Sequence, residues 1–332
     1  ELMKKAGVPV IPGSEGKLES LSQAKEIASK IGYPVMLKAS SGGGGKGIRL
    51  VYSPKELEDA YPLVKQEARN AFQDDELYLE KYIENPRHVE IQVLADKHGN
   101  AIHLGERDCS IQRRNQKIIE ESPSTVLDET LRNKMGKAAM KAVKASGYYN
   151  AGTIEFLVDK NKDFYFMEMN TRVQVEHPVT EMQTGIDIVK EQIRIAAGET
   201  LRFTQKDISF SGHTIECRIN AENPEKNFIP CPGTIQELNL PGGNGVRIDT
   251  AIYSGYTIPP VYDSMLAKII CHGEDRKEAI AKMKRALEEV VIDGITTNVD
   301  FLYEILEDVD FEEGNFDTSF LEVKKQKKEK LL

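Results

Sequence analysis

The sequence has few cysteines, no long apolar run and no excess of basic residues. It contains only four cysteines, Cys109, Cys217, Cys231 and Cys271. None of them forms a CxxC pair, which excludes the common zinc and redox motifs and is typical of reduced thiols in a cytoplasmic protein. No stretch reaches the about 18 consecutive apolar residues of a transmembrane helix. A net charge of -9 argues against nucleic acid or an anionic membrane as the main partner.

The composition is that of an ordinary globular protein, with 40% hydrophobic and 29% charged residues. A length of 332 residues favours about two domains. Helical spacing predicts helices over residues 20–31, 54–72, 129–146, 186–197, 276–291 and 298–307. From about residue 203 the pattern changes to short strands and turns. We therefore expect one domain over residues 1–202 and a second over residues 203–332.

The stretch from Phe164 to Pro178 carries most of the chemistry that the sequence predicts. In the period-two alternation of a strand, Phe164 and Phe166 share one face with a polar row. The row consists of Glu168, Asn170, Arg172, Gln174 and Glu176. Pro178 cannot donate to a sheet ladder, so we expect it to end the extended run.

A second strand is predicted over residues 152–158, and the turn-forming residues 159–163 would join it to the first as a hairpin. This hairpin places Glu155 opposite Glu168. Facing side chains on paired strands lie about 5 Å apart, where like charges are destabilising. A divalent cation would remove the repulsion, so we expect Glu155, Glu168 and Asn170 to hold Mg²⁺ against a nucleotide. The alternative is a surface strand with a solvated polar face.

A glycine-rich loop, residues 39–47, lies between two predicted strands. Glycines let backbone N–H groups approach an anion, so the loop could cradle phosphates, with Lys38 beside it as a phosphate partner. A Walker A loop is excluded, because Lys46 is followed by Gly47 and a strand rather than by Ser or Thr and a helix. The loop would then be a mobile flap over a triphosphate, or simply a flexible hairpin tip. The basic segment 111–117 likewise has two interpretations, a solvated face or an anion contact.

Four signatures follow one another along the chain. They are the Lys38 strand with its glycine flap, Glu80-Lys81-Tyr82, the segment 112–117, and the segment from Glu155 to His177-Pro178. Together they resemble the ATP-grasp superfamily and, within it, the biotin carboxylase family. The segment 168–178 is highly specific to that family and its near relatives, and the resemblance continues through residues 216–222.

The resemblance implies an α+β ATP-grasp fold. A small lid domain would span about residues 13–82, beside a larger domain with a mixed or antiparallel sheet and a biotin carboxylase C-terminal subdomain. The family has a further N-terminal domain before the equivalent of Glu1, so we expect this chain to lack that domain. The implied partners are a biotin carboxyl carrier protein and carboxyltransferase subunits, with a homodimer in the full-length protein.

The resemblance also implies roles for individual residues. ATP would be bound through its phosphates by Lys38, Gly44 and Gly45, through its adenine by Glu80, Lys81 and Ile83, and in its pocket by His88, Gln112 and Asn115. Two Mg²⁺ or Mn²⁺ ions would be held by Glu155, Glu168 and Asn170. Bicarbonate would be surrounded by Lys117, Arg172, Gln174, the backbone of Val175, and Glu176. Arg218 would face biotin. Asn115 stands where the family often has histidine, so ribose recognition is expected to differ.

The implied activity is ATP-dependent carboxylation of biotin on its carrier protein with bicarbonate, through carboxyphosphate, as the first half-reaction of acetyl-CoA carboxylase. One alternative is another ATP-grasp ligase, of the carbamoyl-phosphate or purine-synthesis type. Arg218 and the Glu176-His177-Pro178 sequence count against it. A second alternative is a non-catalytic nucleotide-binding fragment, favoured by the expected lack of the N-terminal domain.

Overall fold

The computed structural model describes residues 1–43, 46–73 and 75–331. It divides into two compact units, of which the larger joins Glu1–Val8 to the chain from Asn85 onward and the smaller spans Pro9–Glu84. The predicted lid, residues 13–82, falls within the smaller unit. The predicted boundary between residues 202 and 203 lies inside the larger unit and stays a prediction.

Helices and strands are numbered here in chain order. The described helices are α1 (Leu2–Lys5), α2 (Leu21–Ile31), α3 (Pro54–Phe72), α4 (Glu129–Ser146), α5 (His177–Thr184), α6 (Ile188–Ala196), α7 (Arg276–Glu289), α8 (Val299–Leu306), α9 (Val309–Glu312) and α10 (Phe320–Leu331). The described strands are β1 (Val35–Gly43), β2 (Lys46–Val51), β3 (Leu77–Lys81), β4 (Arg87–Ala95), β5 (Ala101–Arg113), β6 (Gln116–Ser122), β7 (Asn150–Val158), β8 (Phe164–Asn170), β9 (His213–Asn220), β10 (Glu222–Asn223), β11 (Ile229–Pro230), β12 (Leu238–Asn239), β13 (Val246–Thr250), β14 (Met265–Gly273) and β15 (Val291–Ile292).

The smaller unit is a three-stranded antiparallel sheet, in the order β2-β1-β3, with α2 and α3 packed on it. Both helices begin at a serine whose side chain accepts a backbone N–H, Ser20 from Gln23 and Ser53 from Glu56. These caps satisfy donors that the first turn leaves unpaired, which is why both helices start where the sequence predicts. Their apolar faces close a core around residues such as Leu37.

The larger unit contains an eight-stranded sheet in the described part of the chain, in the order β13-β14-β9-β6-β5-β4-β7-β8. Its neighbouring strands run antiparallel. Helix α4, capped by Asp128 and ended by Gly147 in the left-handed conformation, packs against β4 and β5. Helix α7 packs against β14 and β9. This architecture confirms the predicted α+β class with a large antiparallel sheet.

Strand β4 separates the core from a polar face. Its odd-numbered residues from Val89 to Ala95 lie in the hydrophobic cluster beneath α4. Its even-numbered residues, including His88 and Glu90, are also buried, on the opposite face. Buried polar side chains need partners, so this second face is where a site with charge chemistry is expected.

Strand β8 departs from the alternation that its sequence predicts. Glu155 pairs with Glu168 as predicted, yet the next residue of β7, Phe156, pairs with Phe166. Met167 is therefore an extra residue, a β-bulge, and it reverses the facing of the strand on its two sides. Phe164 and Phe166 pack edge-on against Phe156, with ring centroids 5.4 and 6.4 Å away. The prediction that these two rings share a face with Glu168 was wrong.

The extended run also ends earlier than predicted. Strand β8 stops at Asn170, and Pro178 lies in the first turn of α5 rather than terminating a strand. Proline suits that position because its missing N–H would have no partner in the first turn of a helix. Glu176 becomes the residue that precedes the helix, so its side chain is placed by a helix start.

Two further features concern the helices and the cysteines. None of the helices among the described residues is both long and apolar enough to cross a membrane. The four cysteines carry free thiols, and three of them are buried, Cys231 being only half-buried.

The bulge predicts different effects for two adjacent substitutions. Phe166→Ser removes a ring from the core and should lower the free energy of unfolding by about 3 kcal/mol. Met167 has a side chain that is 39% exposed. Met167→Ser should therefore change the free energy of unfolding by no more than about 0.5 kcal/mol. Urea unfolding followed by circular dichroism measures both, since the chain has no tryptophan. Equal losses would contradict the bulge.

Candidate active site

The register of four neighbouring strands aligns charged side chains in one row. Arg107 of β5 pairs with Glu90 of β4, Glu90 with Glu155 of β7, and Glu155 with Glu168 of β8. Three carboxylates thus follow one another across the sheet on its polar face. Arg107, fully buried, donates from Nε to Glu90 Oε1 at 2.6 Å. The row needs further cations to be stable.

Lys117 supplies that charge from the start of β6. Its Nζ lies 2.6 Å from Glu90 Oε2, 3.0 Å from Glu155 Oε1 and 2.7 Å from Glu176 Oε1. Burial alone would lower the pKa of Lys117, but the surrounding carboxylates, led by Glu90, raise it well above its usual range. The ammonium is therefore permanently charged and links three carboxylates.

Of the three carboxylates that Lys117 contacts, Glu155 has the most hydrogen-bond partners among the described residues. Its Oε1 accepts from Lys117, from Gln174 Nε2 at 2.7 Å and from Asn170 Nδ2 at 3.0 Å, while Oε2 lies 2.9 Å from His88 Nε2. Burial would raise the pKa of Glu155, yet its hydrogen bond with His88 and the charge of Lys117 lower it to about 2. The carboxylate is ionised near neutral pH.

A hydrogen-bonded chain fixes the orientation of His88. Gln112 Nε2 lies 2.7 Å from His88 Nδ1 and 2.7 Å from the carbonyl oxygen of Cys109. An amide nitrogen only donates, so Nδ1 accepts and Nε2 carries the proton that is donated to Glu155. The carboxylate of Glu155 is therefore bound by neutral donors, among them His88 and Gln174, as well as by the charged Lys117.

Glu176 and Arg218 meet at the other end of the cluster. Arg218 of β9 donates from Nη2 to Glu176 Oε2 at 3.0 Å and from Nε to Glu120 Oε1 at 2.6 Å. Burial would lower the pKa of Arg218, whereas Glu120 and Glu176 raise it further above its usual range. Glu176 thus lies between two fixed cations, Lys117 and Arg218.

The outer part of the site is more open. Glu168 and Arg172 are exposed, and Asn170 lies between them: its Nδ2 is 3.3 Å from Glu168 Oε1, and its Oδ1 accepts from Arg172 Nη2 at 3.2 Å. Among the described residues, Glu168 has no cationic partner within ion-pair distance, although it faces Glu155. Its carboxylate and the carboxylate of Glu155 offer hard oxygen ligands of the kind that Mg²⁺ and Mn²⁺ take.

These side chains line one cavity of about 620 Å³ within the larger unit. It brings together every predicted site residue of that unit. They are His88, Gln112, Asn115, Lys117, Glu155, Glu168, Asn170, Arg172, Gln174, Val175, Glu176 and Arg218. Residues that lie far apart in the chain therefore converge on one polar, partly enclosed space. A solvated strand and a solvated basic segment are both less consistent with this placement than a binding site.

Asn115 lies in the tight turn that joins β5 to β6. Arg114 and Asn115 have φ values of 50° and 65°, between the paired residues Arg113 and Gln116. Two-residue hairpin turns favour left-handed positions, which asparagine tolerates better than most side chains. Local backbone geometry gives a physical reason for asparagine at this rim position.

The remaining predicted residues belong to the smaller unit. Lys38 and Glu80 form an ion pair with each other. Lys81 Nζ donates to the carbonyl oxygens of Gly32 at 3.1 Å and Tyr33 at 2.9 Å, and Ile83 is buried. Gly44 and Gly45 lie outside the described residues. The nucleotide roles of all six stay predictions.

Several charged residues of the polar face were missed by sequence reasoning. They are Glu90, Arg107, Glu120, Glu216 and Lys268, all buried. Glu90 carried a signal, because it alternates with Val89 and Ile91 at a strand period and so marks a polar face opposite an apolar one. Arg107 pairs with Glu90 across one hairpin. Glu120, Glu216 and Lys268 face residues of strands distant in the chain, which the sequence alone does not pair.

Comparison with known families divides the chain in two. Residues 1–204 match the family model described as the carbamoyl-phosphate synthase L chain, ATP binding domain. Residues 216–323 match the model of the biotin carboxylase C-terminal domain. The second match separates this chain from ATP-grasp ligases that share only the first.

Individual relatives agree with this assignment. The chain is 59% identical to Biotin carboxylase 1 of Bacillus subtilis over 97% of its own length and 72% of that protein. A crystal structure of the biotin carboxylase domain dimer of Hydrogenobacter thermophilus 2-oxoglutarate carboxylase, in complex with MgADP, ADP and bicarbonate, superposes with a TM-score of 0.85 at 55% identity, over 97% of this chain and 71% of the other. The crystal structure of the biotin carboxylase component of a pyruvate carboxylase superposes with a TM-score of 0.87 at 54% identity, over 98% of this chain and 72% of the other.

The expected fold and the expected kind of enzyme are therefore confirmed, and the interpretation as a carbamoyl-phosphate or purine-synthesis ligase is not favoured. Because more than half of its residues are identical to those of biotin carboxylases along nearly its whole length, the chain belongs to the biotin carboxylase family of the ATP-grasp superfamily.

Proposed function

We propose that this biotin carboxylase carboxylates biotin on a biotin carboxyl carrier protein, with ATP and bicarbonate, as the first half-reaction of acetyl-CoA carboxylase in fatty acid synthesis. One observation carries the chemical part of the proposal. The cavity is lined by the ammonium of Lys117 and the guanidinium groups of Arg172 and Arg218, and Lys117 and Arg218 pair with the carboxylate of Glu176. A small anion and a general base are the ligand and the group that such an arrangement suits.

Glu155, Glu168 and Asn170 are the proposed ligands of Mg²⁺ or Mn²⁺. The residues fit the metal because Glu155 and Glu168 oppose each other and the outer carboxylate lacks a cation among the described residues. Glu90 fits less well, since Arg107 and Lys117 already neutralise it. When bound, the metal supplies charge neutralisation for the transferring phosphoryl group.

Nine residues are proposed to contact ATP. In the smaller unit, Lys38, Gly44 and Gly45 would contact phosphates and Glu80, Lys81 and Ile83 the adenine. In the larger unit, His88, Gln112 and Asn115 line the cavity. The support for these roles is the family resemblance, together with the placement of the last three in the cavity.

Bicarbonate is proposed to bind between Lys117, Arg172, Gln174 and the backbone of Val175. Glu176 takes the proton of bicarbonate, and the resulting oxyanion attacks the γ-phosphorus of ATP. The bond to ADP breaks, which yields carboxyphosphate and ADP. The carboxylate of Glu176 is suited to this role because its helix-start position and its two cationic partners fix its direction.

Biotin is proposed to react beside Arg218. Carboxyphosphate separates into carbon dioxide and phosphate, and the phosphate takes the proton from the ureido nitrogen. Negative charge then develops on the ureido oxygen, where a guanidinium held in place by carboxylates stabilises it without having to reorganise. The nitrogen attacks carbon dioxide to give carboxybiotin.

The final acceptor and the assembly are also proposals. Carboxyltransferase subunits would pass the carboxyl group to acetyl-CoA, and the enzyme would act as a homodimer. The dimer described for the Hydrogenobacter thermophilus domain supports the second point. Similar chains serve a pyruvate carboxylase and a 2-oxoglutarate carboxylase. Carboxyl-transfer assays with acetyl-CoA, pyruvate and 2-oxoglutarate, using partners purified with the protein, distinguish the three acceptors.

The first test is the substrate dependence of ATP hydrolysis. Hydrolysis should require bicarbonate and should increase when free biotin is added, because carboxyphosphate forms only when bicarbonate is present. A requirement for ammonia or an amino acid instead would favour another ATP-grasp ligase. Nucleotide binding without turnover would favour a non-catalytic module.

The second test concerns Glu176. Glu176→Gln keeps the shape of the side chain but removes the base, so biotin carboxylation should fall by about 10²–10⁴-fold. Affinity for ATP, measured by calorimetry, should stay near that of the wild type. Loss of ATP binding would contradict the role of general base.

The third test concerns Arg218. Arg218→Ala should reduce biotin carboxylation about 10²-fold and bicarbonate-dependent ATP cleavage much less, because Arg218 acts after carboxyphosphate has formed. The matched control is Arg285→Ala, which breaks an exposed pair with Glu289 on α7 and should change neither rate. Equal losses of both activities in Arg218→Ala would place Arg218 in the first step instead.

A further inference from the structure

Two buried glutamates face each other beneath Arg218. Glu120 of β6 and Glu216 of β9 are register partners in neighbouring strands, and both are 0% exposed. Facing side chains in paired strands lie about 5 Å apart, and like charges at that distance are destabilising. Burial strengthens the repulsion, because water does not screen it.

The two carboxyl groups have different partners. Glu120 Oε1 accepts from Arg218 Nε at 2.6 Å. Glu120 Oε2 and both oxygens of Glu216 accept no hydrogen bond from any described residue. An ionised carboxylate buried without donors is far less stable than the neutral acid. The arrangement therefore favours a charge on Glu120 and a proton on Glu216.

The charges that face this pair do not offer Glu216 a cation of its own. Arg218 is engaged by Glu120 and Glu176. Lys268, on the neighbouring strand β14, donates to the carbonyl oxygen of Val175 at 2.7 Å and lies 3.3 Å from Asp249 Oδ2.

The other elements around the pair also provide no free cation to Glu216 among the described residues. On β6, Lys117 is held by its own three carboxylates. Helix α5, which packs against β6 and β9, begins beside the negative charge of Glu176 and contributes His177, whose Nδ1 lies 2.8 Å from the carbonyl oxygen of Gln174. Glu121 is paired with Arg276 and His213.

We propose that Glu120 and Glu216 share one proton, and that this singly charged carboxyl pair is the positioning element that aims the guanidinium of Arg218 into the cavity. Glu120 carries the charge that holds Arg218. Glu216 carries the proton and, as a neutral acid, has a hydrogen to donate toward the free oxygen of Glu120. Loss of that proton would place two like charges behind Arg218.

The titration behaviour of the two groups agrees with the geometry. Burial, and then the charge of Glu120, raise the pKa of Glu216 well above its usual range. Burial raises the pKa of Glu120 to about 7, and the charge of Arg218 only partly offsets it. The pair titrates as a unit rather than as two independent acids.

A raised carboxyl pKa has a defined effect on stability. Above the ordinary glutamate pKa of 4.5, the folded protein holds a proton that the unfolded chain has released, so stability falls as pH rises until the folded-state pKa is passed. Glu121 has the opposite effect on the pH dependence of stability, because its pKa is lowered. Burial opposes its ionisation, but the hydrogen bond of His213 and the charge of Arg276 lower its pKa to about 2, so its stabilising contribution is present at neutral pH.

The thermal test compares Glu216→Gln with Glu121→Gln. Glutamine keeps the shape and a donor of the neutral acid, so Glu216→Gln should raise the melting temperature by about 2–4 °C at pH 8, with a difference that shrinks toward pH 5. Glu121→Gln removes an ionised partner of Arg276 and His213, so it should lower the melting temperature at pH 8. If Glu216→Gln lowers the melting temperature at pH 8 or fails to fold, Glu216 is ionised and the proposal is wrong.

The activity test rests on the proposed role of Arg218. Glu120→Gln removes the charge that holds the guanidinium and should reduce biotin carboxylation about tenfold, mainly through the turnover number, with bicarbonate-dependent ATP cleavage little changed. In Glu216→Gln the fall of the biotin carboxylation rate at alkaline pH should move to higher pH, because glutamine has no proton to lose in that range. Unchanged carboxylation in Glu120→Gln, or an unmoved alkaline limb, would overturn the positioning role. If Arg218→Ala itself spares biotin carboxylation, the proposed function of Arg218 fails, and the thermal test still decides the shared proton.

Discussion

The register that places Glu90, Glu155 and Glu168 in one row across three strands is the constraint on which the rest of the site depends. Three like charges in a row are unstable unless cations lie among them. Arg107 and Lys117 neutralise the inner two, with Lys117 also reaching Glu176. Removing the charge of Lys117 would leave three buried carboxylates close together, at a cost of several kcal/mol. The outermost carboxylate, Glu168, is the one without such a cation among the described residues, and with Glu155 it forms the proposed metal site.

Local irregularities in regular elements position the functional groups. The bulge at Met167 lets a single strand bury Phe166 on one face and present Glu168 on the other. The early end of β8 frees Arg172 to lie exposed at the cavity, and the start of α5 fixes Glu176. The turn with Asn115 closes the β5-β6 hairpin at the rim of the same cavity. Each of these features breaks an alternation or ends an element where the chemistry requires a particular direction.

The sequence predicted local structure better than long-range contacts. Helices α3 and α4 begin and end where helical spacing predicts, and the structure shows local caps at these ends, Ser53, Asp128 and Gly147. The opposition of Glu155 and Glu168 was also predictable, since a short turn fixes the register of a hairpin. The bulge at Met167 was not, because an extra residue leaves the composition of a strand unchanged. Nor were the pairs Glu90 with Lys117 and Glu120 with Glu216, because they depend on the order of strands in the sheet. Most of the cavity residues were found by family resemblance rather than by pattern.

The central claim is that the facing carboxylates of Glu155 and Glu168 exist to hold a metal beside Lys117. The most direct measurement is anomalous diffraction at the manganese edge from crystals grown with ADP, Mn²⁺ and bicarbonate. The account predicts a manganese peak coordinated by oxygens of both glutamates, with the bicarbonate density between Lys117 and Arg172. A manganese peak bound away from both glutamates, with the two carboxylates still facing each other, would contradict it.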